Sequence, residues 1–215
     1  LPLFVGRKKS IRAVEECVEY DRYIFLAAQK DSELENPGLE DLYSVGTIGR
    51  IQKMIKLPDG RIKALVQGLA KAKVLECVKK KPFFKVDIEI LKDADPLELN
   101  IEDEALMRNV KEASEKLLAL KGELSGDVGD LLSHIESPGK LADLVASNIN
   151  LKVEDAQILL EIMDGTERLK KVNDLLAREL DLSTVQAKIQ IDVKDEISRN
   201  QRDYYLREQV KAIHR

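Results

Sequence analysis

The chain has 215 residues, 44% of them hydrophobic and 34% charged, with a formal net charge of −4. This is enough for one large or two small domains, each with a buried core and a heavily charged surface. Aromatics make up only 4% with no tryptophan, which argues against a stacking platform for sugars or bases, and no apolar run approaches the roughly 20 residues that span a bilayer.

The N-terminal part reads mostly as strand. LPLFV meets the cations of RKK within a few residues, which is not the pattern of a signal peptide. In SIRAVEECVEY, Ser10 is a plausible N-cap, and Ile11, Val14 and Val18 share one helical face. RYIFLAAQ follows as a short buried strand. In TIGRIQKMIKLPDGRIKALVQG, the triplet Pro58-Asp59-Gly60 separates two apolar runs. Proline presets the turn's φ, aspartate caps it and glycine takes the left-handed position, which predicts a hairpin. LAKAKVLECV reads as a further strand. Lys79, Lys80 and Lys81 precede Pro82 as a solvated turn. PFFKVDIEIL alternates Phe84, Val86, Ile88 and Ile90 with Lys85, Asp87 and Glu89, so one face is buried.

KDADPLELN marks a boundary, after which every periodic segment is helical. Leu106, Val110, Ala113, Leu117 and Leu120 form one stripe, and Gly122 and Gly126 break it. Ser137-Pro138 opens the next helix, with serine as cap and proline in the first position; its apolar face is Leu141, Leu144, Val145 and Ile149. A short buried helix is expected from Asp155 to Met163, and another from Thr166. From Thr184 to Arg215 there is no Gly or Pro for 32 residues. There Val185, Ile189, Val193 and Ile197 step by four and are expected to pack on the bundle. Beyond Ser198 the polar run SRNQRD should leave Tyr204, Leu206, Val210 and Ile213 to seek a partner helix. The helix carries no stop signal near its end, so it is expected to continue into a further module.

The charge is unevenly spread. Residues 1–92 carry 18 Lys/Arg and 13 Asp/Glu, and residues 93–215 carry 17 and 26, so a front of +5 meets a back of −9. The expected organisation is therefore α+β: a β-rich lobe at 1–92, a helical bundle at 93–183 and one long projecting helix at 184–215. Cys17 and Cys77 read as buried reduced thiols. His134 and His214 have no Cys or His at ligand spacing, so no metal site is expected. GxxxxGK, HExxH, GxSxG and CxxC are all absent. The acidic pairs Glu15/Glu16 and Glu154/Asp155 fall on solvated faces or helix starts, not where acid–base catalysis needs them.

LPLFVGRKKSIRAVEECVEYDRYIFLAAQKD and then VGTIGRIQKMIKLPDGRIKALVQGLAKAKV closely resemble the N-terminal region of the Lon ATP-dependent protease family. The final QRDYYLREQVKAIHR is similar to that family's helix running into its ATPase module. The resemblance covers essentially the whole chain, in the family's order.

It implies a PUA-like β-rich lobe, a helical lobe, and a role in recognising unfolded or degron-bearing proteins and supporting a hexamer. It implies no catalytic residues and no cofactor in this stretch, the ATP, Mg and Ser–Lys peptidase chemistry belonging to other modules. The family pattern carries one more strand before PLFVGR, so the sheet is expected to lack an edge strand. Location is expected to be the bacterial cytoplasm, with the mitochondrial matrix as the other setting.

The candidate contact residues are Arg7, Lys8, Lys9 and Arg12, a basic cluster that a solvated edge would also show. With them go Tyr204, Tyr205, Leu206 and Val210, which cannot all face one side of a helix. A weak dimer through this last segment is expected. Because PUA-like lobes elsewhere bind RNA, an RNA-binding module is the alternative, against which stand the acidic balance, the few aromatics and the lack of a dense Arg patch.

Overall fold

The spine of the N-terminal sheet is a strand of 18 residues, Ile62–Lys79, twice the length the hydrophobic pattern suggests. In the computed structural model, which describes residues 1–96, 98–122 and 126–213 (side chains of 126–128, 130, 207, 208 and 210–213 excepted), the elements run in this order. They are β1 (Pro2–Val5), α1 (Lys8–Glu19), β2 (Tyr23–Leu26), β3 (Val45–Lys56), β4 (Ile62–Lys79), β5 (Lys85–Leu91), α2 (Ile101–Lys121), α3 (Gly126–Ser133), α4 (Pro138–Asn148), α5 (Val153–Glu161) and α6 (Gly165–Ile213). The chain divides into two compact units: Leu1–Asp95 with Leu151–Arg168, and Pro96–Asn150 with Leu169–Arg215.

In the first unit the five strands pair antiparallel, in the order β1-β4-β3-β2, with β5 also on β4. β3 pairs with Ile62 through Lys73 of β4, while β1 takes Ile62–Leu65 and β5 takes Lys71–Lys79. One edge of β4 therefore carries β3, and the other is shared end to end by β1 and β5. This sharing is why a single long strand replaces the two shorter ones expected at IKALVQG and LAKAKVLECV. Register shifts near Gly49, Ile51, Val74 and Cys77 bend it.

The expected hairpin joins β3 to β4. Gly60 has φ +82°, Gly60 N–H donates to the Leu57 carbonyl at 3.0 Å, and Asp59 Oδ1 accepts from Arg61 N at 3.0 Å. Ile62, Ala64 and Val66 alternate into a core with Ile51, and Val14 of α1 closes it. The helix starts at Lys8, earlier than the expected cap at Ser10, and its N-cap Arg7 makes no capping bond, because a guanidinium has no acceptor to offer the free N–H groups of the first turn. Cys17, half-buried, has its thiol pushed up to about 11 by desolvation, with Asp21 adding and Arg22 opposing.

α5 belongs to this unit as well. Gln157, buried, donates from Nε2 to the Val45 carbonyl at 3.0 Å. Asp93 after β5 accepts from Nη1 of Arg168 at 2.9 Å, and the Arg168 side chain is only 1% exposed. Beside it, Ala94 N–H donates to Met163 O at 2.9 Å and Gly165 N–H to Ala94 O at 3.1 Å. The expected lobe at 93–183 is thus divided, and its segment 151–168 completes the sheet unit.

In the second unit, Asn100 and Asp103 form a capping box on α2, and Gly122 ends it at φ +71°. Ser137 caps α4 by accepting from Lys140 N, with Pro138 in the first turn, as expected. The buried face of α2 is Met107, Val110, Ser114, Leu117 and Leu118. It is rotated from the expected stripe, so that Leu120 lies exposed. Ser114, Leu117 and Leu118 come together with Val145, Ile149 and Leu176 around a small gap, and Leu141, Leu169 and Val172 are buried in the same unit.

The helices expected to start at Thr166 and Thr184 are one helix of 49 residues, about 73 Å long at 1.5 Å per residue. Thr184 does not start a helix; its hydroxyl donates back to Leu180 O at 2.8 Å. The expectation that Val185, Ile189, Val193 and Ile197 pack on the bundle is not met. All four are exposed, and so is every residue from Gln190 to Leu206.

Candidate functional site

The first unit holds a cleft of about 890 Å³ lined by β1 and the start of α1, β2, the segment 27–43, Phe83–Phe84 ahead of β5, and residues of β3, β4 and β5. Its interior is apolar. Val14, Ile24, Phe25, Leu26, Phe83 and Val86 all reach it. Its rim is charged, carrying Arg7, Lys8, Lys9, Glu33 and Glu35.

The rim is built by local chemistry. The segment DSELENPGLED has five acids, no base and a Pro-Gly pair, so it forms neither helix nor strand and crosses the surface as a loop. Arg7 pins it, donating from Nη1 to Gln29 Oε1 at 2.5 Å and from Nη2 to Leu34 O at 3.1 Å. Asp31 Oδ1 accepts from Glu33 N at 2.9 Å, and Asp41 Oδ2 accepts from Gly38 N at 2.8 Å, so the loop also holds itself. Lys9 stands over Phe84 with its Nζ 5.2 Å from the ring centroid. Lys85 stands over Phe83 at 5.5 Å and pairs with Glu16, a bond that raises its ammonium pKa against the opposing effect of desolvation.

Of the basic residues singled out by sequence, Arg7, Lys8 and Lys9 are brought together at this cleft, and Arg12 does not line it. Arg7 serves as a loop clamp, a role the sequence did not show. Tyr204, Tyr205 and Leu206 lie on α6 in the other unit, exposed at 68%, 63% and 47%, and line no part of the cleft. The side chain of Val210 lies outside the described residues. Phe25, Phe83 and Phe84 were read only as strand residues, and their convergence depends on long-range pairing. Among the described residues no group of three or more His, Cys, Asp or Glu is placed to hold a metal ion, and no helix is long and apolar enough to cross a membrane.

Residues 1–178 match the family model described as ATP-dependent protease La (LON) substrate-binding domain. The chain belongs to the Lon substrate-binding domain family. The Lon protease of Desulfatibacillum aliphaticivorans is 54% identical over 215 residues, covering 100% of this chain and 26% of that protein. The Lon protease of Geobacter metallireducens is 49% identical over 213 residues, with 99% and 26% covered. The chain therefore spans about a quarter of the length of these Lon relatives.

Among solved structures, the N-terminal domain of Mycobacterium avium complex Lon protease superposes with a TM-score of 0.64 at 20% identity, over 82% of this chain and 89% of that one. The Lon N-terminal domain protein from Xanthomonas campestris gives 0.55 at 17% identity, over 82% and 88%. The expected α+β Lon fold, a sheet lobe with helices and a long C-terminal helix, is borne out, and the stretch matched is the substrate-binding part of a Lon protease rather than a catalytic one.

Proposed function

We propose that this domain captures unfolded or degron-bearing protein chains for an ATP-dependent Lon-type serine protease in the bacterial cytoplasm. The observation that carries the proposal is the apolar cleft with its charged rim. It offers desolvation to one or two large side chains but few fixed polar partners, which suits weak, sequence-tolerant binding. Contacts of this strength become effective when several copies act on one chain, because the second contact is intramolecular. Titrating the chain with a reduced, carboxymethylated protein and with its native form tests this. Binding to the unfolded form in the micromolar range, at least tenfold tighter than to the native form, is the expected result; equal binding to both contradicts it.

We further propose that α6 supports assembly through a second copy. Ile189, Val193 and Ile197 are each about half exposed, and covering them on a neighbouring helix removes apolar area from water. Sedimentation is expected to show a weak concentration-dependent dimer. Changing the three residues to Ser should return it to monomer with the thermal transition unmoved, since none contributes to a core. A monomer at every concentration rules this out.

A further inference from the structure

The charges at the rim of the cleft are not balanced against one another in the same way. Arg7 is committed to the loop: its guanidinium holds Gln29 and the carbonyl of Leu34, the residue between Glu33 and Glu35. Those two acids thus have a cation fixed beside their segment. Lys8 and Lys9 are exposed and form no ion pair with a carboxylate among the described residues. Lys9 is instead held over Phe84, a residue of the cleft wall, with its Nζ 5.2 Å from the ring. A cation resting on an aromatic wall keeps its charge at the boundary between the apolar interior and solvent.

We infer that the occupant of this cleft is an extended apolar segment of an unfolded chain carrying an Asp or Glu beside its anchor residue. This rests on the capture role proposed above and narrows its substrate class. The anchor lies among Val14, Phe25 and Phe83, and the flanking carboxylate meets Lys8 and Lys9 at the rim. The apolar part supplies affinity and the carboxylate supplies selection, because an exposed pair is worth little in energy but distinguishes sharply from a like charge. A basic flank puts a third cation beside two lysines. A neutral flank leaves them hydrated.

Short C-terminally amidated peptides test this, with one shared Leu-Phe-Leu anchor and Glu, Gln or Lys flanks, titrated into the 215-residue chain by fluorescence polarisation. At low salt the Glu-flanked peptide is expected to bind about three- to tenfold tighter than the Lys-flanked one, with Gln between. High salt should erase the difference while leaving the anchor's contribution. Lys8→Ala/Lys9→Ala should level the three affinities, and Lys8→Glu/Lys9→Glu should reverse their order; reversal is a gain that a misfolded variant does not produce. Three equal affinities in the unmodified chain overturn the inference and leave the capture role standing. No binding by any peptide overturns both. A Gln-flanked peptide with a free C-terminus that matches the Glu-flanked one replaces the internal acid with recognition of a chain end and overturns the assignment made here.

Discussion

Gly46→Ala is expected to destabilise the sheet unit by about 3 kcal/mol or more, lowering its thermal transition by about 10 °C. A Cβ built on Gly46 lies 2.2 Å from the Leu26 carbonyl oxygen and 2.7 Å from Cζ of Phe25. The first of these is backbone of the neighbouring strand, so no rotamer change relieves it. β2 has to move away from β3, and Phe25, which lines the cleft, moves with it. The matched control is Gly68→Ala in β4. There the nearest atom is Cγ2 of Thr47 at 3.5 Å, an ordinary contact, and little change is expected. Differential scanning calorimetry of the two variants decides the matter. Equal transitions would mean that the approach of Leu26 to Gly46 is not structural.

Asp93→Ala is expected to cost about 2–3 kcal/mol, because it removes the carboxylate from a guanidinium that the fold has taken out of water. Burial by itself raises the Asp93 carboxyl, but hydrogen bonds from Arg168 and Lys71 outweigh it and hold the group below its ordinary 3.8. A carboxyl depressed in the folded state adds stability that is fully present above the unfolded value. That stability fades as pH falls from about 4 through the lowered one. The gap between the parent and Asp93→Ala should therefore be constant near neutrality and close in acid. Asp93→Ala/Arg168→Met should recover much of the loss, since a methionine needs no partner in an apolar site. Urea melts across the pH range test both points, and a gap that widens below pH 4 contradicts the assignment.

What could be seen in the sequence was what short range decides. Pro58-Asp59-Gly60 names its own turn, because only glycine takes φ +82° there at no cost. Gly122 and Ser137-Pro138 mark helix ends for reasons confined to a few residues. The buried face of α2 includes Ser114, which no apolar stripe selects, because its hydroxyl is satisfied on Val110 O at 2.7 Å. Thr184 within α6 does the same, donating to Leu180 O. Neither position announces that a hydroxyl bonds inward rather than capping.

The candidate site was half legible. A run of cations after LPLFVG stands out in any reading, and three of them do reach the cleft. Its apolar walls come from all five strands, α1 and the segment 27–43, and depend on the pairing of β4 with both β1 and β5, which no local pattern encodes. The placement of α5 with the sheet was illegible for the same reason: Gln157 finds Val45 across 112 residues.

That interrupted path of the chain has a temporal consequence. Asp93 leaves the ribosome 75 residues before Arg168, an interval of about 4–15 s at common elongation rates of 5–20 residues per second. During that interval the strands can pair, but the carboxylate has no buried guanidinium and the Val45 carbonyl has no amide from Gln157. The intervening stretch, 96–150, can meanwhile build α2 through α4, yet it waits for Leu169, Val172 and Leu176 to close its own core. The segment 151–176, which is α5 and the first turns of α6, thus completes both units almost at once. Both units are therefore left open during synthesis until one short segment arrives.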